Sequence, residues 1–126
     1  MRCPKCENDM ELVNYLGIEV DRCLLCKGLW FDYLEKDTMR QAEGARVVDT
    51  GAASKGKRYN KIRNVQCPRC AVDMHTVKDD KQAHIEYEAC PSCGGTFFDA
   101  GEYRDLAEFT LLERIIARFK SKRGGD

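Results

Sequence analysis

Eight cysteines stand in four Cys-x2-Cys pairs: Cys3 and Cys6, Cys23 and Cys26, Cys67 and Cys70, Cys90 and Cys93. Two such pairs separated by a hairpin-length stretch can bring four thiolates to the corners of a tetrahedron, the geometry zinc accepts at about 2.3 Å per Zn–S bond. The chain is therefore expected to hold two Zn2+ ions, one on Cys3, Cys6, Cys23 and Cys26 and one on Cys67, Cys70, Cys90 and Cys93. A zinc closed by four sulfurs has no position left for water, so its role is structural. No Ser/His/Asp, phosphate-loop or dinucleotide-binding arrangement accompanies the cysteines, and neither an enzyme nor a small-molecule substrate is expected. The same residues admit a redox alternative. Cys-Pro-x-Cys occurs at Cys3, Cys67 and Cys90, and such dithiols can exchange disulfides or hold iron.

Positioning two sulfur cages is the task of very short elements. Each cysteine unit spans some forty residues, too few to bury the apolar surface that offsets chain entropy without a metal, a disulfide or a partner. A structural zinc contributes roughly 10 to 16 kcal/mol at neutral pH, enough to decide whether such a unit folds. In the first unit Met10 to Tyr15 and Ile18 to Arg22 read as two strands about Leu16-Gly17, returning Cys23 and Cys26 to the first pair, and Leu29 to Phe31 reads as a third. Trp30 is expected to pack over the small core. In the second unit, which has three more residues between its inner cysteines, strands are expected near His75 to Val77 and His84 to Tyr87. The two histidines, His75 and His84, are superfluous as ligands beside four cysteines and read as exposed strand positions.

These signals give a small, metal-bound α+β chain. It comprises two tandem units, each a short antiparallel β-hairpin with four-cysteine zinc knuckles followed by a helix, and a C-terminal amphipathic helix. The first unit is residues 1–39, a basic Gly/Ala/Ser-containing linker covers 40–63, the second unit is 64–107, and 108–126 is the terminal helix with a basic tail. Asp32 with Glu35, and Asp99 with Glu102, have capping-box form, which explains these carboxylates without chemistry. The linker composition fits random-coil reach and lets the units move separately.

Acidic and basic residues balance at 21 each, so their distribution carries the information. Residues 1–39 hold eight acidic against five basic side chains and 64–107 eight against four, whereas 40–63 holds seven basic against two acidic. Four thiolates on Zn2+ make the units more acidic still. Contact with RNA or DNA would then fall to Arg46, Lys55, Lys57, Arg58, Lys61 and Arg63, with Tyr59 among them as a stacking ring. The competing reading is that these cations are solvated or fold against the acidic units. Downstream of Glu102 the pattern is helical to about Lys122, and Phe109, Leu112, Ile116 and Phe119 form a stripe at spacings of three, four and three. That stripe is expected to cover a unit or to pair with its own copy in a homodimer; a membrane-surface helix fits less well beside acidic units. Met1-Arg2 runs directly into the first Cys-Pro-Lys-Cys, with no signal peptide or membrane span, so a cytoplasmic location is expected, where a reducing milieu favours metal over disulfides.

The residues resemble the bacterial transcription-factor-IIB-type zinc-ribbon family, with units of the form C-P-x-C-x3-M, a variable hairpin, then C-x2-C-x-G-x-W-x-D-x-G-E. Cys3, Pro4, Cys6, Met10, Cys23, Cys26, Gly28, Trp30, Asp32 and Glu35 match in the first unit, where Leu34 replaces a glycine. Cys67, Pro68, Cys70, Met74, Cys90, Cys93, Gly95, Asp99, Gly101 and Glu102 match in the second, where Phe97 replaces the tryptophan. The resemblance implies two tandem zinc ribbons with the eight cysteines as ligands. It also implies zinc or nucleic-acid binding, and it covers neither linker nor terminal helix; the expected function is a non-enzymatic protein with nucleic acid, or a protein of transcription or RNA metabolism, as partner.

Overall fold

The computed structural model describes residues 1–15, 17–33, 45–59, 62, 65–78 and 85–106. Six strands form one antiparallel sheet: β1 (Met10–Tyr15), β2 (Ile18–Cys23), β3 (Leu29–Phe31), β4 (His75–Lys78), β5 (Glu86–Ala89) and β6 (Thr96–Phe98). Their spatial order is β1-β2-β3-β6-β5-β4. Each cysteine unit thus supplies a three-stranded half, and the halves meet where β3 pairs β6, Leu29 opposite Phe98, Trp30 opposite Phe97 and Phe31 opposite Thr96. The arrangement has an internal pseudo-twofold axis, because Trp30 and Phe97 occupy the same place in the two repeats.

Alternation along the central strands sends side chains to two cores. Leu29, Phe31 and Phe98 point to one face, where Val20, Val48, Ile85, Tyr103 and Leu106 close over them. The rings of Phe31, Phe98 and Tyr103 contact one another there, with centroids 4.5 to 5.8 Å apart. Trp30 and Phe97 point to the opposite face, among the cysteines, Val65 and Met74. The helical residues Val48, Tyr103 and Leu106 thus cover one face of the sheet, while the sulfur cages lie on the other, joined there by Tyr59.

Trp30 is fully buried, as a packing role requires, but the surface it packs on belongs to the other repeat. A Cβ at Gly95 would fall inside the Trp30 ring, and a Cβ at Gly28 would fall inside the Phe97 ring. Each repeat lends its aromatic ring to the glycine of its counterpart.

The segment between the repeats departs from the expected random coil. Helices α1 (Ala45–Val48) and α2 (Ala53–Tyr59) lie within it, and together with the β3–β6 pairing they overturn the expectation that the halves move separately. Gly56 is there for contact, since a Cβ on it would strike the backbone carbonyl of Ala100. Arg22 holds α1 to the sheet through the Val48 carbonyl, 3.1 Å away, while pairing with Glu11.

A third helix, α3, covers 102–106 of the described residues. Asp99 does not cap it through its side chain, contrary to the capping-box reading. The cap is Asp49, whose two carboxylate oxygens accept the amides of Gly101 and Arg104 at 2.8 Å each, while Arg104 donates back to the Asp49 carbonyl. Glu102 turns instead to the backbone and accepts the Glu86 amide at 3.1 Å. Glu35, the terminal-helix residues Phe109, Leu112, Ile116 and Phe119, and the rest of 107–126 lie outside the described residues, as does His84. No helix among the described residues is long and apolar enough to cross a membrane.

The ring exchange predicts the effect of the smallest possible insertion. Gly95→Ala should destabilise the zinc-loaded protein by about 1 to 3 kcal/mol through overpacking, read as a lower melting temperature. An unchanged melting temperature would refute the contact.

Candidate metal centres

Each knuckle is built the same way, and four copies occur. The amide of the first cysteine donates to a carbonyl five residues on: Cys3 to Asn8, Cys23 to Gly28, Cys67 to Val72 and Cys90 to Gly95, at 2.8 to 2.9 Å. The residue after the second cysteine takes a left-handed backbone in all four, with φ of 64° at Glu7, 62° at Lys27, 57° at Ala71 and 76° at Gly94. Only the last is glycine. A non-glycine residue held there costs about 1 to 2 kcal/mol, so three of the four knuckles maintain a turn that their sequences resist. The reward is a set of amides aimed at sulfur. Leu25 and Cys26 donate to Cys23 Sγ, Arg69 and Cys70 to Cys67 Sγ, Ser92 and Cys93 to Cys90 Sγ, and Gly95 to Cys93 Sγ, all at 3.4 Å. Such donors stabilise thiolate charge.

The sulfurs converge as the sequence spacing demands. Cys3, Cys6, Cys23 and Cys26 form one group and Cys67, Cys70, Cys90 and Cys93 the other, the sulfurs of each lying within 4.8 Å of one another. A regular tetrahedron with about 2.3 Å bonds has edges of about 3.8 Å. Cys3 to Cys26 measures 3.7 Å, Cys67 to Cys93 3.8 Å and Cys6 to Cys23 3.3 Å, and all eight cysteines are free of disulfides. The donor set and its spacing fit zinc, and each group can hold one ion.

Metal-free, the thiols of each cage share protons unequally. The hydrogen bond between the Cys3 and Cys26 sulfurs lowers Cys26 to about 5 and raises Cys3. Burial lifts Cys23 to about 11 and Cys67 to about 12. At Cys90 burial opposes, but the Cys93 and Ser92 amides prevail and bring it to about 7. Metal binding must displace the protons that the thiols still hold.

Carboxylates beside the cages have partners that sequence reading missed. Lys5, between Cys3 and Cys6, has a fully buried side chain that crosses to the other repeat. Its Nζ lies 2.7 Å from Asp99 Oδ2 and 3.5 Å from Glu88, and donates to the Tyr59 carbonyl at 3.2 Å, with the Phe97 ring 5.9 Å away. Arg69, between Cys67 and Cys70, makes the mirror contact. It donates to both oxygens of Asp32 at 2.6 and 3.0 Å and lies 3.8 Å from Asp21. Asp32 Oδ1 also accepts the Trp30 indole N–H at 3.1 Å. The signal was present in duplicate: the first knuckle of each repeat, Cys3-Pro4-Lys5-Cys6 and Cys67-Pro68-Arg69-Cys70, carries a base at its third position, and both repeats place an acid two residues before their third cysteine, Asp21 and Glu88.

Burial, opposed by Lys5, leaves the Asp99 carboxyl at about 6, while its Oδ1 has no partner among the described residues. Burial raises Glu102 to about 7 against the help of the Glu86 amide.

The cations expected to meet nucleic acid do not form one patch in the described residues. Lys55, Lys57 and Arg58 lie on α2, where Lys57 and Arg58 are exposed and Lys55 Nζ is held by the Leu25 carbonyl at 3.0 Å. Lys61, Arg63 and the side chain of Arg46 lie outside the described residues. Leu24 and Leu25, at the tip of the knuckle that Lys55 touches, are about half exposed.

Among known proteins, the family model described as Transcription factor zinc-finger, the TFIIB-type zinc ribbon, matches residues 2–40 and again 66–108. No curated protein and no solved structure matches the chain.

Two outcomes follow. Complete removal of metal under reducing conditions should abolish the folded circular-dichroism spectrum and the cooperative melt, because the four knuckles have no other source of closure. For Glu102, a folded pKa above the ordinary 4.5 means that its stabilising effect is full below that value and is lost as pH rises through about 7. Zinc-loaded Glu102→Gln should therefore melt above the parent at pH 8, with the gap narrowing toward pH 6; a gap that does not change with pH would contradict the assignment.

Proposed function

Because the chain belongs to the transcription-factor zinc-finger family and carries its TFIIB-type ribbon twice, we propose that it is a non-enzymatic module that binds a macromolecule. Its two zinc ions serve structure alone. The observation that carries this reading is the closure of both cages by four thiolates each. Such a site has no open coordination position from which to activate water or polarise a substrate.

The partner this surface suits best is a nucleic acid. Exposed Lys57 and Arg58 stand on α2, and the Lys55 contact fixes that helix beside the knuckle bearing Leu24 and Leu25. A cationic helix next to exposed apolar side chains supplies phosphate neutralisation and a surface for unstacked bases. The ribbons themselves are acidic, and Lys5 and Arg69 in their knuckles are engaged with carboxylates, so α2 is where the polyanion docks. A protein of transcription or RNA metabolism is the alternative occupant, with Leu24 and Leu25 as its anchors.

RNA and DNA titrated at several salt concentrations test this reading. Binding should weaken steadily with salt, and Lys57→Ala, Arg58→Ala and Lys61→Ala together should weaken it about tenfold or more at low salt and flatten the salt slope. Absence of binding at low salt, or indifference to the triple substitution, would refute the nucleic-acid reading and leave the protein partner.

A further inference from the structure

The two metal sites are joined by a pair of crossings that start inside the knuckles. Lys5 lies between the ligands Cys3 and Cys6 and ends on Asp99 and Glu88 of the second repeat. Arg69 lies between Cys67 and Cys70 and ends on Asp32 and Asp21 of the first. The receiving acids are themselves tied to the opposite cage: Glu88 stands two residues before Cys90 and Asp21 two before Cys23. Gly28 and Gly95, which receive Phe97 and Trp30, lie two residues after Cys26 and Cys93.

We propose that these crossings couple the two zinc sites thermodynamically, so that zinc in one ribbon raises the affinity of the other ribbon for zinc. The physical reason is that a knuckle without its ion loses the constraint that fixes the residue between its ligands. If the first cage opens, Lys5 is released, and Asp99 and Glu88, both almost wholly buried, lose the cation that offsets their charge. The second ribbon can lower that cost only by opening toward water, which loosens its own knuckle. If the second cage opens, Arg69 is released from Asp32 and Asp21 and the glycine seat of Trp30 at Gly95 is lost, so the first ribbon loosens in turn. Linkage requires the two effects to be equal in size even though Lys5 is buried and Arg69 is half exposed.

The pairing β3–β6 supplies the rigid connection through which this acts. It is only three residues long, and it joins strands that each follow a knuckle directly. The seam therefore forms in its observed register when both knuckles are closed.

Zinc affinity measured on the full chain by competition with a chromophoric chelator, under reducing conditions, tests the coupling. Two chains that each keep one intact cage, Cys6→Ser with Cys23→Ser and Cys70→Ser with Cys93→Ser, should hold the remaining ion at least tenfold more weakly than the parent holds it, by the same factor in both. Complete loss of zinc from both chains would be the same result at its limit. Arg69→Gln and Lys5→Met, which leave all eight cysteines in place, should shrink the factor toward one when combined with those knockouts; Arg69 is the safer position, since its exposed contact leaves folding intact. Remaining-site affinities equal to those of the parent would overturn the coupling. A factor that survives both crossing substitutions would overturn its assignment to Lys5 and Arg69. A parent chain that binds no zinc would instead refute the structural-zinc reading on which the proposal rests.

Discussion

The exchange of aromatic rings across the β3–β6 seam turns two marginal halves into one folded body, because neither half has enough apolar surface to close over its own ring. Trp30 rests on Gly95 and Phe97 on Gly28, and any side chain at either glycine would occupy the space of the ring. The sulfur cages act one level below. They fix the four knuckles, and the knuckles fix the glycines, the bases and the acids that meet at the seam. Metal and packing are consequently in series: the zinc ions hold the small parts in shape, and the rings hold the parts together.

Pseudo-symmetry makes the charges at the seam easy to compare, and the comparison shows what the connecting segment does. Lys5 and Arg69 are equivalent, as are Asp99 and Asp32, yet one pair is sealed from water and the other is half exposed. The difference is α2. Its last residue, Tyr59, gives its carbonyl to Lys5, its first turn is anchored on Leu25 through Lys55, and its Gly56 lies against Ala100 of the second ribbon. Among the described residues, this segment fastens the first knuckle to the second ribbon on one side of the pseudo-axis. Covering Lys5 is tolerable because two carboxylates and a carbonyl compensate it; breaking such a buried pair by removing one partner typically costs about 3 to 5 kcal/mol. Its register-setting value is plain from geometry, since a seam slipped by one residue would turn Trp30 and Phe97 to the wrong face.

The metal ligands and the hairpins were legible in the sequence because their rules are local. Cysteine spacing is a type-specific signal, and alternation over Met10 to Tyr15 or about Gly17 needs no knowledge of the rest of the chain. The seam was hidden for the opposite reason. Asp99 followed by Glu102 has a complete local explanation as a capping box, and only a residue far away in sequence, Asp49, displaces it from that role. Likewise Gly51, Gly56 and the small residues around them have the composition of a flexible connector, whereas Gly56 is small because a helix presses on a backbone carbonyl. Composition records that a position tolerates no side chain; it does not record whether the cause is motion or contact. What could have disclosed the seam was the repetition itself: a base in the first knuckle of each repeat, an acid before both third cysteines, and a glycine before both rings.

That repetition also constrains how the surface can be used. A basic knuckle residue beside a zinc cage invites assignment to phosphate binding, and Lys5 and Arg69 would be the first candidates in each ribbon. Both are already neutralised by two carboxylates of the opposite repeat, and Lys5 has no access to solvent. Loaded cages would add negative charge of their own to the knuckles. Among the described residues Lys57 and Arg58 are exposed on α2, the element that also seals Lys5. A partner that pulled on α2 would therefore pull on the Tyr59 carbonyl and the buried crossing beneath it, so binding at that helix and the integrity of the seam are mechanically connected.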